Sequence, residues 1–124
     1  MEVELLSRPK VLLELRKWVK FPVEEDELPG HTYGALENGE LVAIAGLRLC
    51  EGPVCILDSM ATNPECPSEL RHQAIEALVD RILTEAKAFK YRGIRCETKD
   101  ASIVQRAVAR GFTVLPEISM VRAL

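Results

Sequence analysis

The chain has 124 residues, of which 48% are hydrophobic and 28% are charged, and its formal net charge is −3. This length and composition are typical of one domain with a real hydrophobic core, so we expect a single domain over residues 1–124. The lack of a basic excess argues against a nucleic-acid-binding protein, and no apolar run approaches the roughly 20 residues of a membrane span.

The two chain features that bear on compartment are the N-terminus and the cysteines. Met-Glu-Val-Glu-Leu-Leu has no cationic region before its apolar residues, so it does not have the pattern of a secretory signal. The four cysteines form no CxxC pair, and no histidine lies at a zinc-ligand spacing from them. We therefore expect reduced thiols, no metal site and a cytoplasmic protein. The alternative is a disulfide between Cys50 and Cys55, which flank a turn.

The first segment predicts a strand, a helix and an acidic loop. Residues 3–6 predict the strand, and residues 9–20 predict a helix with Pro9 in its first turn and apolar residues along one face. The segment 21–30 that follows carries four consecutive acidic residues at 24–27. It is either a solvated loop or a lip whose field attracts a cationic substrate.

Residues 31–36 and 40–49 predict two strands joined by Asn38-Gly39, which is a strong pattern for a tight hairpin turn. The second strand is apolar enough to be central in a sheet. Gly46 inside it indicates a β-bulge or the close approach of another backbone.

The stretch on which the function depends runs from residue 54 to residue 91. Residues 54–62 predict a buried strand, residues 63–67 a proline-bearing turn, and a long amphipathic helix begins near Ser68. A strand that leads into a helix N-terminus makes an anion site, because the first backbone N–H groups are free and the helix dipole is positive there.

The remaining elements complete an α/β domain. Residues 94–98 predict a strand parallel to strand 54–62, because a strand–helix–strand connection is right-handed. Residues 100–110 predict a helix with Gly111 as its C-cap. Residues 112–115 and 118–121 predict two last strands around Pro116, packed internally or in a dimer sheet. The fold class is therefore a mixed, mostly antiparallel sheet flanked by helices.

This order of elements, together with four stretches of sequence, resembles the GNAT superfamily of N-acetyltransferases. Residues 34–46 are similar to the second and third strands of the family around their tight turn, and residues 56–64 to the fourth strand. Residues 84–94 resemble the end of the cofactor helix, and residues 104–112 resemble the last helix, which ends in Gly-Phe. The resemblance covers nearly the whole chain and implies the acyl-CoA N-acyltransferase fold.

The resemblance also implies an acetyl-CoA site with a degenerate loop. In the family the pyrophosphate lies on a loop of pattern Arg/Gln-x-x-Gly-x-Gly/Ala, which here falls on residues 67–72 and contains no glycine. Glu69 adds a negative charge to this loop. Alternatively, Ser68 is simply an N-cap, and Arg71 and His72 are surface residues. The implied cofactor-binding residues are Met60, Ala61, Thr62, Ser68, Leu70, Arg71, His72 and Gln73.

The catalytic residues that the resemblance implies are a general base and an acid for the leaving thiolate. Asp58 is the candidate base, with a structural hydrogen bond as the alternative role of its carboxylate. The family's usual tyrosine acid falls on Ala107, so that acid is missing.

Two functions follow from the resemblance. One is an active N-acetyltransferase that moves acetyl from acetyl-CoA to a small amine or a protein amine. The other is a catalytically silent GNAT fold that serves a protein partner as a structural or binding subunit, for example in a bacteriophage. An unrelated α/β domain with the same element order is the third possibility. The enzyme hypothesis predicts a cleft beside Thr62, where the fourth and fifth strands splay.

Overall fold

A computed structural model describes residues 1–20 and 22–124, so that Phe21, the first residue of the predicted acidic loop, lies outside the described residues. One five-stranded sheet has the order β1-β2-β3-β4-β5. Its strands are β1 (Glu2–Leu6), β2 (His31–Glu37), β3 (Glu40–Arg48), β4 (Val54–Thr62) and β5 (Gly93–Arg95). The helices are α1 (Arg8–Trp18), α2 (Ser68–Ala88) and α3 (Ala101–Ala109), and a 3₁₀ turn covers Glu25–Glu27.

The first four strands form an antiparallel meander, as the sequence predicted. The turn between β2 and β3 has positive φ at both central residues, 50° at Asn38 and 81° at Gly39. Two successive positive φ angles are the mark of a type I′ turn, whose twist matches the twist of the strands it joins. The Asn-Gly hairpin prediction is therefore confirmed, and it fixes the register of the central pair, with His31 opposite Leu47.

The pairing of β3 with β4 contains a β-bulge. Ile44 lies opposite Ala61 and Gly46 lies opposite Asp58, so one residue of β3 faces two residues of β4. Ser59, inside the bulge, has a φ of 56°. A bulge bends the strand and re-aims the side chains beside it, and here it turns the end of β4 that leads into α2.

Gly46 also lies very close to a neighbouring segment, which was the second structure that the sequence predicted for this glycine. A Cβ atom placed on Gly46 would lie 2.9 Å from Cβ of Pro29 and 3.1 Å from the carbonyl oxygen of Asp58. Atoms this close cannot coexist without movement of the backbone. Both predictions for Gly46 are therefore confirmed.

β5 pairs with β4 in parallel, which confirms the crossover predicted for α2. The pairing covers three residues of each strand and ends at Ile56 opposite Arg95. β4 then continues to Thr62, whereas the strand predicted over residues 94–98 ends at Arg95. The prediction for β5 was too long, because residues 96–98 diverge from β4 and have no ladder partner there.

The hydrophobic core lies on both faces of the sheet. Helix α2 covers one face, and the buried side chains that it contributes there are Ala74, Leu78, Val79, Ile82 and Ala86. Helix α1 and the segment before β2 cover the other face with Val11, Leu15, Val23 and Leu28, against Leu6, Leu36, Leu41 and Ile44. The three-and-four spacing along both helices thus identified the faces that pack on the sheet.

The last two predicted strands are wrong. Residues 112–124 have no regular secondary structure. Helix α3 has Arg110 as its C-cap, and Gly111, predicted for that role, is the next residue and has a φ of 92°, which is typical of the glycine that follows a helix. Pro116 has no backbone N–H to donate to a ladder, and the apolar residues after it are exposed, so no burial stabilises a strand there. The apolar pattern of residues 112–121 predicted extended strands, but it could not show whether a neighbouring strand is there to pair with them.

The four cysteines are free, so the alternative disulfide between Cys50 and Cys55 does not form. Cys55 and Cys66 are buried, and Cys50 and Cys96 are half-buried. Burial raises the pKa of the Cys55 thiol. None of the helices in the described part of the chain has the length and apolar character that a membrane crossing needs.

Candidate functional site

A cleft of about 720 Å³ opens where β4 and β5 separate. Its floor is the second half of β4, from Ile56 to Thr62, and the first turns of α2 form one wall. Residues 95–98, which leave the sheet, and α3 form the opposite wall. This cleft lies beside Thr62, where the enzyme hypothesis placed one.

Most of the predicted cofactor residues line this cleft, but two do not. Leu70 is half-buried and packs against the core under α2, and Gln73 is exposed on the outside of the helix. Glu69 is also exposed and is not part of the lining, so its charge does not face the cleft. The predicted residues that do line the cleft are Asp58, Met60, Ala61, Thr62, Ser68, Arg71 and His72.

The N-terminus of α2 is open. Pro67 is the N-cap residue, and no side chain caps the helix. Ser68 is therefore the first helical residue, and the alternative in which it serves as N-cap is wrong, because proline occupies that position. The first intrahelical bond runs from the Arg71 N–H to the Pro67 carbonyl, at 3.0 Å. The backbone N–H groups of residues 68–70 thus remain unbonded in the described part of the chain, which makes this end of α2 electropositive.

Arg71 adds a guanidinium group at the same turn. Its Nε atom is enclosed by the protein and has no hydrogen-bond partner among residues 1–20 and 22–124. A buried donor without a partner is unfavourable. His72, one residue later, is exposed, and its Nε2 atom lies 3.9 Å from the Glu76 carboxylate. The cationic side chain and the helix end both favour an anion here.

Asp58 lines the cleft from the bulge of β4, and its carboxylate is engaged on both oxygens. Oδ2 accepts a hydrogen bond from Nε of Arg48 at 2.9 Å and forms an ion pair with Nη2 of the same guanidinium at 2.8 Å. Oδ1 accepts one from the backbone N–H of Ser59, at 2.7 Å. The structural hydrogen bond that was the alternative role of this residue is therefore present. The side chain is still 41% exposed, so the carboxylate remains accessible from the cleft.

Arg48 also connects Asp58 to the acidic segment. Its Nη2 atom donates a hydrogen bond to the carbonyl oxygen of Glu27, at 2.7 Å. The acidic side chains of residues 24–27 are exposed, as a solvated loop requires. Their position beside the Arg48–Asp58 pair places this negative charge next to the bulge of β4.

The wall formed by α3 contains residues that the sequence did not predict as part of the site. Arg110 binds two carboxylates of α2: its Nε atom donates to Oε2 of Glu76 at 2.6 Å, and its Nη1 atom contacts Asp80. The hydrogen bonds that Arg110 donates to Asp80 and Glu76 raise the pKa of its guanidinium group. The spacing of Glu76 and Asp80, four residues apart on one helix face, is the sequence signal from which a cation-binding pair of carboxylates could have been predicted.

Ala107 lines the cleft at the position where the resemblance placed a tyrosine acid. The methyl group of Ala107 cannot donate a proton, so this position of the cleft does not supply an acid. Asp100 caps α3 by accepting a hydrogen bond from the Ser102 N–H at 2.8 Å. The hydrogen bonds from Ser102 lower the pKa of the Asp100 carboxyl. No group of three or more histidine, cysteine or acidic side chains in the described ranges is arranged to hold a metal ion.

Solved structures of acetyltransferases share the fold of this chain. A ribosomal-protein-alanine N-acetyltransferase from Brucella melitensis biovar Abortus 2308 is 13% identical, with a TM-score of 0.73 over 100% of both chains. The chain has the GNAT acetyltransferase fold. No protein-family model matches its sequence, and no curated protein matches it either.

Two further solved structures of this fold contain bound ligands. A Mycobacterium tuberculosis protein in complex with CoA and NLQ is 16% identical, with a TM-score of 0.74 over 98% of this chain and 76% of that one. An aminoglycoside acetyltransferase from an uncultured soil metagenomic sample, in complex with sisomicin, is 12% identical, with a TM-score of 0.71 over 99% of this chain and 95% of that one.

Proposed function

We propose that this protein binds acetyl-CoA in the cleft between β4 and β5 and acts as a GNAT-type N-acetyltransferase with a degenerate cofactor loop. The observation that carries the proposal is the opening of the cleft onto an uncapped helix N-terminus that also presents Arg71. CoA carries a pyrophosphate, which is the kind of anion that free backbone N–H groups and a guanidinium bind.

The proposal explains how a pyrophosphate binds without the glycines of the family pattern. Glycines let a loop backbone approach the phosphates closely. Here the free N–H groups of residues 68–70 supply backbone donors, and the guanidinium of Arg71, which lines the cleft, supplies a positive charge. Met60, Ala61 and Thr62 contribute the strand backbone along which the pantetheine arm would lie, a contact that does not depend on side-chain type.

The transfer step needs one bond to form and one to break. The amine nitrogen attacks the thioester carbonyl, the new C–N bond forms, and the C–S bond breaks to release the CoA thiolate. Asp58 is the proposed acceptor, directly or through a water molecule, of the proton that the ammonium loses before it attacks, and the second proton that the nitrogen loses on forming the amide passes to solvent. With Ala107 in the place of a tyrosine, the thiolate takes its proton from solvent.

The acceptor that we propose is an amine that is cationic before it reacts, either a small molecule or an amine of a protein. The exposed acidic residues 24–27 lie beside the Arg48–Asp58 pair, so their negative field attracts such a substrate toward the bulge of β4. We also propose a cytoplasmic location, which the four free thiols support.

A second candidate function is a GNAT fold without catalysis that serves as a binding or structural subunit for a protein partner. Two observations favour it. Ala107 offers no acid, and both oxygens of Asp58 are already hydrogen-bonded, one of them to Arg48. In this case the cleft would hold CoA or a related ligand without turning it over.

Calorimetric titration with acetyl-CoA tests the cofactor proposal. We expect saturable binding that is weakened at least tenfold by Arg71→Ala and unchanged by Arg92→Ala, a matched arginine that is exposed and does not line the cleft. No binding heat and no thermal shift at saturating ligand would refute both the enzyme and the CoA-binding subunit.

A thiol-release assay with a panel of amines then separates the two functions. An enzyme releases CoA thiol only when a suitable amine is present, and Asp58→Asn lowers that rate by a factor of about 10²–10⁴ without abolishing acetyl-CoA binding. Binding without release for any amine in the panel would favour the silent subunit.

A further inference from the structure

Arg48 joins two parts of the candidate site that are distant in the sequence. Its Nε atom donates a hydrogen bond of 2.9 Å to Oδ2 of Asp58, and its Nη2 atom lies 2.8 Å from the same oxygen. Nη2 also donates a hydrogen bond of 2.7 Å to the carbonyl oxygen of Glu27, the last residue of the 3₁₀ turn. One guanidinium therefore holds both the proposed base and the acidic turn.

The register of β3 and β4 explains why Arg48 reaches Asp58. Gly46 lies opposite Asp58, and Arg48 lies opposite the residue two positions before Asp58. Alternate residues of a strand share one face of the sheet, and diagonal neighbours on that face are within reach of a long side chain. Arg48 and Asp58 thus meet on the same face as Gly46.

Gly46 brings the acidic segment to this face. A Cβ atom on Gly46 would lie 2.9 Å from Cβ of Pro29, so only the absence of a side chain at residue 46 lets Pro29 pack there. The side chains of residues 24–27 are exposed, whereas Leu28 and Pro29 are buried. Packing therefore fixes the end of the segment, and the hydrogen bond from Arg48 to Glu27 ties the acidic turn itself to Asp58.

Arg48 acts through these partners and not on a ligand, because Asp58 lines the cleft and Arg48 does not. The Arg48 side chain is 36% exposed, so solvent screens the attraction between its charge and the carboxylate. What the residue contributes is geometry. A planar guanidinium presents its N–H donors in a fixed fork, which can hold a carboxylate and a carbonyl oxygen at once.

We propose that Arg48 is a positioning residue of the transfer reaction, which holds the Asp58 carboxylate and the acidic turn in one fixed arrangement. This role rests on the proposed acetyltransferase function. The acidic turn attracts the cationic amine and Asp58 takes its proton, so the two must face the same amine. Arg48 sets the distance between them and places a positive charge beside Asp58, which separates that carboxylate from the acidic side chains of residues 24–27.

Steady-state kinetics with an amine that the thiol-release panel identifies test this role. Arg48→Met keeps a long side chain but removes every donor, and we expect it to lower kcat by a factor of about 10–10² and to raise the KM of the amine. The dissociation constant for acetyl-CoA should not change, because Arg48 does not line the cleft. Arg48→Lys restores the charge without the fork and should recover part of kcat.

The double variant Arg48→Met with Asp58→Asn separates positioning from a general structural role. Once the carboxylate is gone, Arg48 has no base to position, so the double variant should have the same kcat as Asp58→Asn alone. Arg16→Met is the matched control. Arg16 also donates to the segment before β2, with Nη2 at 3.3 Å from the carbonyl oxygen of Val23, but it does not bond to Asp58. This control should keep the kcat of the wild type.

Hydrogen exchange tests the tie to the acidic turn without any turnover. The amides of Glu27 and Leu28 are bonded to the carbonyl oxygens of Glu24 and Glu25, and they should exchange faster in Arg48→Met than in the wild type. Unchanged exchange there would overturn the tie to the turn.

The kinetic outcomes distinguish the two proposals. An unchanged kcat in Arg48→Met, additive losses in the double variant, or an equal loss in Arg16→Met would overturn the positioning role and leave the acetyltransferase function intact. A wild type that transfers acetyl to no amine of the panel would overturn both.

Discussion

Arg110 is expected to attach α3, and with it one wall of the cleft, to α2. Helix α3 has no fully buried residue, so its position depends on polar contacts more than that of α1 or α2 does. Arg110 supplies the contacts to Glu76 and Asp80. The prediction is that Arg110→Ala loosens α3 while the sheet and α2 keep their structure.

The free energy that each ion pair of Arg110 contributes depends on the solvent exposure of its partner. Asp80 is 66% exposed, so its pair with Arg110 is a surface ion pair that contributes about 0–1 kcal/mol. Glu76 is 31% exposed and Arg110 26%, and this charge-assisted pair should contribute about 1–2 kcal/mol. The Asp80 hydrogen bond raises the pKa of Arg110 more than the Glu76 bond does. Solvent screening at Asp80 nevertheless makes Glu76 the larger contributor to stability.

Native-state hydrogen exchange of the α3 amides is the direct assay. A loss of about 2 kcal/mol accelerates exchange about 30-fold in Arg110→Ala, since 1.36 kcal/mol corresponds to a factor of ten. Glu76→Gln should give most of this acceleration, whereas Asp80→Asn should give little, and high salt should reduce the Asp80 effect first. Equal effects of Glu76→Gln and Asp80→Asn, or unchanged α3 exchange in Arg110→Ala, would refute the reasoning.

Three further predictions concern the fold around the cleft. Gly46→Ala should lower the free energy of unfolding in urea by about 1–3 kcal/mol, because its Cβ would overlap Pro29; Gly30→Ala, which meets no atom within 4 Å, should cost far less. Leu78→Ala should lower it by about 2.7–5 kcal/mol, because Leu78 is fully buried under the sheet. Since hydrogen bonding lowers the pKa of Asp100 in the folded state, its stabilisation of α3 is present above the unfolded pKa. We expect α3 exchange to accelerate as the pH falls through the folded value, and a pH-independent rate after correction for intrinsic exchange would contradict this.

The elements that the sequence predicted correctly are those with a strong local signal. Asn38-Gly39 can adopt two successive positive φ angles at little cost, so this dipeptide alone was enough to predict the hairpin. Strand β4, Val54–Thr62, was predicted with its observed bounds. The buried positions of α2 follow the helical period, because the same period decides which side chains meet the sheet.

The errors arose where a distant partner decides the outcome. The segment 112–121 has the composition of strands, but a strand needs an edge to pair with, and no local pattern shows whether the chain can reach one. Ser68 has the residue type of an N-cap, yet the chain enters the helix one residue earlier, at Pro67. The contact of Arg110 with Glu76 joins residues 34 apart in sequence, so only the packing of α3 on α2 reveals it.

The cleft can bind an anion although its loop has no glycine, because backbone N–H groups and a charged side chain are two separate sources of anion binding. A glycine loop binds phosphate through backbone donors alone, and each donor must come close, which side chains would prevent. In this chain the loop 63–67 is closed on itself by hydrogen bonds from the amides of Cys66 and Glu65 to Asn63, so its amides are not available. The remaining donors are the first turn of α2 and Arg71, whose side chain reaches an anion from a longer distance. Binding of CoA here would therefore rest more on charge than on backbone fit, and it would depend more strongly on ionic strength than binding to a glycine loop.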